Sequence, residues 1–103
     1  MSAAEATPQV VITTTYDMTQ AVRLAVKAAQ GNKKLDIEEI TADGLRCTGE
    51  KGLEFSITVV PQNGGVKIGG AVASGDSKMY LKYCKDLMGL IQRTDSAAWM
   101  TVT

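Results

Sequence analysis

Histidine is absent from this chain of 103 residues, so its acid–base, nucleophilic and ligating chemistry rests on two cysteines, its hydroxyls, eleven carboxylates and eleven cations. Without imidazole, the usual general base near neutral pH and the commonest metal ligand are both missing. Ser56, Ser74, Ser77, Cys47 and Cys84 have no such base to activate them, which excludes a triad-type nucleophile, and no motif marks a lysine for that task. Cys47 and Cys84 lie far apart, in no CxxC or metal-spaced pair, and read as reduced thiols in a cytoplasmic setting. Asp36, Glu38 and Glu39 cannot all face one way along a strand and read as solvated sheet surface rather than an acid/base pair. The glycines at Gly49–Gly52, Gly64-Gly65 and Gly69-Gly70 match neither GxxxxGK[ST] nor a complete GxGxxG. Ser74-Gly75-Asp76-Ser77 could offer backbone N–H groups to an anion, or be filled by the Asp76 carboxylate itself. The expectation is no catalytic residue, no metal ligand and no cofactor.

A charged helix face is more suggestive. Lys78, Lys82 and Lys85 stand at i, i+4 and i+7, and Arg93 continues roughly the same side, a spacing that makes one basic stripe on a helix. Near an anionic membrane each cation is worth about 1 kcal/mol, so such a stripe could hold a domain weakly. The competing reading is a solvated face in which Lys82 and Asp86 form an i,i+4 pair. Arg23, Lys27, Lys33 and Lys34 form a second, looser cluster. Basic and acidic side chains cancel to a net charge of zero, which argues against general nucleic-acid binding.

The elements that must carry these residues are legible in periodicity. Residues 1–8 read as a flexible N-terminal arm, 9–93 as a single domain and 94–103 as a C-terminal tail that frays or adds a short strand. Gln9–Tyr16 is rich in β-branched residues and reads as a strand. Asp17 caps a following helix, with Gln20 placed for a capping box. Met18, Val22, Ala25, Val26 and Ala29 share one face of that helix, Gln20, Arg23, Lys27 and Gln30 the other, and Gly31 reads as a left-handed stop. Leu35–Ala42 and Leu45–Glu50 flank Asp43-Gly44, which predicts a type I′ hairpin turn. Leu53–Val60 alternates strictly, 61–65 reads as a loop, and Val66–Ala73 is a strand in which Gly69-Gly70 predicts a bulge or close backbone packing. A second helix, capped by Asp76 or Ser77, carries the core stripe Tyr80, Cys84, Leu87, Met88 and Ile91, with Met79 and Tyr83 beside it. The fold expected is α+β, in the order β-α-β-β-β-β-α, with an antiparallel sheet and both helices packed on one face. No apolar run approaches the roughly 18 residues needed to span a bilayer.

Read together, ITTTYDMTQAV, LDIEE, LEFSITVVP and SGDSKMYLKYCKDLMGLI resemble the kinase-associated C-terminal domain of microtubule-affinity-regulating-type Ser/Thr kinases, over most of residues 10 to 92. The resemblance implies a non-enzymatic regulatory module that attaches to anionic phospholipid through basic residues. The chain departs from that pattern in two ways. The strand before the last helix offers only Lys67, and these 103 residues themselves contain no kinase domain. The expected binding residues for anionic lipid or an acidic partner are Lys67, Lys78, Lys82, Lys85 and Arg93, in a cytoplasmic protein at most peripheral to a membrane. The alternative is a free-standing protein–protein interaction or assembly subunit, self-associating through the exposed sheet face or the Trp99 tail.

Overall fold

The computed structural model describes residues 10–75 and 77–102 of the chain; the arm expected over 1–8, and Asp76 as a helix cap, lie outside them. The elements run β1 (Val10–Thr14), α1 (Met18–Gln30), β2 (Leu35–Thr41), β3 (Gly44–Gly49), a 3₁₀ turn (Glu50–Gly52), β4 (Glu54–Gln62), β5 (Gly65–Ser74), α2 (Ser77–Gln92) and β6 (Trp99–Val102). The protein is α+β: one six-stranded antiparallel sheet, ordered β2-β3-β4-β5-β1-β6, with two helices. Part of the tail is therefore a strand. β6 pairs with β1, placing Met100 opposite Ile12 and Trp99 opposite Thr13.

Alternation decides which side of the sheet is covered. Val10, Ile12, Phe55, Ile57, Val59, Val66 and Ile68 are buried on the side that meets the helices, while Thr58, Val60 and Lys67 between them are exposed. Phe55 sits at the centre of the core, with its ring centroid 5.2 Å from those of both Tyr80 and Tyr83 on α2. Tilted aromatic pairs at that separation add to the area they bury. Leu87 is fully buried in the same core, as the stripe on α2 predicts. Tyr83 is buried as deeply as the stripe itself, and its hydroxyl donates to the Ala25 carbonyl of α1 at 2.9 Å, fastening one helix to the other.

Several local expectations are corrected. On α1, Asp17 accepts from the Gln20 N–H at 2.8 Å and Val22, Ala25 and Ala29 are buried as expected, but Ala21 and Ala28 are buried with them, while Met18 and Val26 are only partly covered. Small side chains there let α1 lie close to the sheet. Gly31 ends the helix in the right-handed conformation (φ −76°), not the left-handed one. The β2–β3 turn is Ala42-Asp43, not Asp43-Gly44, and neither residue has positive φ, so it is not type I′. Gly44 is needed for a different reason: it faces β4, where a Cβ would strike the Ile57 carbonyl. Pro61 and Gln62 extend β4 beyond the expected loop, leaving Asn63-Gly64 as the turn into β5 with Gly64 at φ +81°. Gly69 and Gly70 pair regularly with Thr58 and Ile57; the register shift lies at the other end of β5, between Glu54 and Phe55 on the facing strand. Close packing at Gly70 is real, because the Tyr80 ring occupies the space a Cβ would need.

One carboxylate ties the strand end to the tail. Asp95 Oδ2 accepts from Thr14 Oγ1 at 2.7 Å, Thr15 N at 2.8 Å and Thr15 Oγ1 at 3.0 Å, while its Oδ1 accepts from Ala97 N at 3.3 Å. The Thr14 hydrogen bond, then the Thr15 amide, hold its pKa below the ordinary carboxylate value, and burial opposes them less strongly.

Candidate functional site

The two cysteine thiols are spent on the core. Burial pushes the Cys47 thiol up to about 11, with the charges of Asp36 and Glu38 adding to the effect, and burial raises Cys84 to about 11 as well. Both are protonated at neutral pH and inert as nucleophiles. Burial likewise raises Tyr80 and Tyr83 well above the ordinary phenol value. Among the described residues, no three His, Cys, Asp or Glu side chains come together as a metal-binding group.

The exposed cations are distributed very unevenly. Nine of the eleven Lys and Arg residues lie on or beside the helical layer: Arg23 and Lys27 on α1, Lys33 and Lys34 after it, Lys51 in the 3₁₀ turn, Lys78, Lys82 and Lys85 on α2, and Arg93 just beyond. Five carboxylates, Asp36, Glu38, Glu39, Asp43 and Glu54, stand instead on β2, its turn and β4. There Arg46 answers two of them, Glu39 at 3.8 Å and Glu54 at 3.3 Å. Asp17, Glu50, Asp86 and Asp95 lie among the cations of the helical layer, so that side carries nine cations against four described carboxylates while the β2 edge is acidic.

Of the residues expected to bind, Lys78, Lys82, Lys85 and Arg93 are all exposed on the helical layer, opposite the core stripe of α2. Lys82 also makes the competing i,i+4 pair, with Nζ 3.2 Å from Asp86 Oδ2. An exposed pair of this kind is weak and leaves the local field positive. Lys67 does not join the group. It lies on β5 between buried Val66 and Ile68, opposite Thr13 and Val60, and points out from the uncovered side of the sheet.

The fold adds residues that helical spacing could not supply. A cleft of about 530 Å³ opens between the end of α1, the 3₁₀ turn and the first half of α2, and Lys33, Lys34, Lys51, Lys78 and Lys82 line it with Glu50 and Asp86. A neighbouring groove between the helices is lined by Lys27, Lys85 and Arg93. The cluster at the end of α1 and the stripe on α2, separate in sequence, line adjoining clefts that share Asp86 between them. Lys51 is the residue sequence reasoning missed; its only local signal is a lysine enclosed by Gly49 and Gly52. Its backbone is left-handed (φ 60°, ψ 33°), and among the described residues it is the one non-glycine with positive φ.

On the other side of the molecule the sheet is bare. Trp99 and Val60 are 55% and 52% exposed there, and no helix covers that face among the described residues. Also among the described residues, no helix is long and apolar enough to cross a membrane.

No protein-family model matches the chain, and a search of curated proteins finds no match.

Proposed function

We propose that this domain is a non-enzymatic binding module of the kinase-associated kind, which attaches through its helical layer to anionic phospholipid or another acidic surface. One observation carries the proposal: nine of eleven cations gather on one side of a chain whose net charge is zero. Selection for solubility alone would intersperse the signs, because mixed charge serves that end equally well. A face on which one sign is in excess concentrates potential and attracts an oppositely charged partner. The contact residues are Lys78, Lys82, Lys85 and Arg93, joined by Lys27, Lys33, Lys34 and Lys51; Lys67 is not among them. The site of action is the cytoplasmic side of a membrane.

Vesicle co-sedimentation tests this. The domain should pellet with vesicles containing phosphatidylserine and ignore neutral ones. Binding should fall as salt rises from about 50 to about 300 mM, over which the Debye length shortens from about 14 to about 6 Å. The triple variant K78E/K82E/K85E should lose binding with its circular dichroism intact, and Lys67→Glu should behave as wild type. Equal pelleting of wild type and triple variant defeats the proposal.

The bare sheet face supports a second reading, a protein–protein or self-assembly module that uses Trp99 and Val60. An interface built on that face would be insensitive to salt and would be lost in Trp99→Ala.

A further inference from the structure

The basic layer is not uniformly flat. We infer that the cleft between the end of α1, the 3₁₀ turn and α2 is a discrete receptor for a small, multiply phosphorylated molecule. This rests on the anionic reading of the same face and deepens it, from a charged surface to a site with a shape.

Three observations converge. The first is charge. Five lysines from three separate stretches surround the cleft against two carboxylates, Glu50 and Asp86, and Asp86 already pairs with Lys82 at 3.2 Å. Among the described residues, Lys33, Lys34 and Lys51 make no ion pair. Ammonium groups spread around a rim repel one another unless anionic oxygens come between them, and several phosphates do this where one carboxylate cannot.

The second is size and lining. At about 530 Å³ the cleft falls within the usual range of roughly 300–1,000 Å³ for a small-molecule site. Leu53 and Met79 give it an apolar floor, against which a ring bearing the phosphates can rest while the lysines hold the rim.

The third is strain. The sole left-handed non-glycine among the described residues is a lysine of this rim, with glycines on the same turn at 49 and 52. Nothing in the packing calls for a lysine there, since neither end of the 3₁₀ turn buries it. A long cationic side chain kept in an unfavourable backbone region is the kind of departure found where a residue serves a ligand.

The test titrates the whole chain calorimetrically with two soluble probes, tripolyphosphate and inositol 1,4,5-trisphosphate, at about 50 mM salt, where the Debye length is about 14 Å. Phosphatidylcholine vesicles with and without phosphatidylinositol 4,5-bisphosphate form a third arm. Saturable one-to-one binding of at least one soluble probe is expected. Lys34→Gln and Lys51→Gly should each weaken it about tenfold, the loss of one charge-assisted contact. Lys51→Gly relieves the backbone strain, so its thermal midpoint should hold or rise while binding falls, which separates a lost ligand contact from a lost fold. Lys67→Gln, on the uncovered side of the sheet, should bind as wild type. Preference for the trisphosphate and for phosphoinositide vesicles identifies a lipid headgroup; equal or better binding of tripolyphosphate identifies a free phosphate chain. The inference is overturned if neither soluble probe saturates, or if Lys34→Gln and Lys51→Gly bind as wild type. Vesicle pelleting that persists under either of those results leaves the surface reading standing without the cleft.

Discussion

Tyr80 lies across Gly70: the tyrosine ring fills the space a side chain on that glycine would need, and its Cε1 and Cζ stand 2.9 Å from the position of a Cβ. The helix can sit this low over β5 only because residue 70 has no Cβ. Tyr80 is fully buried and has no room to withdraw. Gly70→Ala should therefore destabilise the domain by about 1–3 kcal/mol through overpacking. Gly69→Ala, whose Cβ would meet nothing nearer than the Thr58 carbonyl oxygen at 4.0 Å, should stay within about 0.5 kcal/mol of wild type. Chemical denaturation of the two variants side by side is the check.

The two core tyrosines should respond oppositely to loss of their hydroxyls. Tyr83 donates to Ala25 at 2.9 Å, and Tyr83→Phe should cost about 0.5–1.5 kcal/mol. The Tyr80 hydroxyl is buried with the Cys84 thiol and the Val10 backbone nearby, yet meets no partner in hydrogen-bond geometry among the described residues. Tyr80→Phe removes a buried polar group that gains nothing, so it should be neutral or stabilising by up to about 1 kcal/mol. It should also recover part of the loss in Gly70→Ala, a coupling that a double-mutant cycle reads directly.

Asp95 gives a pH signature. Its folded-state pKa is depressed, chiefly by the Thr14 and then the Thr15 hydrogen bonds, relative to about 3.9 in the unfolded chain. The unfolded state then takes up the proton first. The stabilisation is present in full above about pH 4 and is lost as pH falls through the lower folded value. The stability gap between wild type and Asp95→Asn should be constant from about pH 5 to 8 and should narrow below about pH 4. A gap independent of pH down to acid unfolding would contradict the assignment.

On α2, Leu87→Ala should cost about 2–5 kcal/mol, since Leu87 is fully buried beneath the helix. Two residues on, Gly89 is exposed and a Cβ there would meet nothing within 4 Å. Gly89→Ala should thus stabilise the helix by about 0.5–1 kcal/mol, seen as a raised denaturation midpoint. The pair separates the inward from the outward side of one helix.

Features set by local period were legible in the chain. Phe55 and Ile57 alternate with Glu54, Ser56 and Thr58, and Tyr80 to Ile91 repeat at helical spacing; burial follows both patterns. Features set by distant approach were not. Gly44 looks like a turn residue until β4 is laid beside it, and Gly70 looks like a weak point in a strand until Tyr80 arrives from α2. The role of Asp95 is hidden in the sequence, because its threonine donors lie 80 or 81 residues away and only the Ala97 amide is local. The candidate site divides the same way. The lysines of α2 could be grouped from spacing, whereas Lys33, Lys34 and Lys51 join them only when α1, the 3₁₀ turn and α2 converge, and Lys67 leaves the group because its strand turns it to the other side.

The unequal placement of charge gives the domain a direction as well as a sign. Its sequence isoelectric point is about 6.2, so near that pH no net force should draw it to any resin. A cation exchanger at low salt should nonetheless retain it, because the helical side comes within a Debye length of the matrix while the carboxylates of β2 are held further off. Every molecule so retained would be turned the same way, helices down and Trp99 outward, like a tile laid glaze upward. Whatever docks against the bare strands would then meet an ordered array of them.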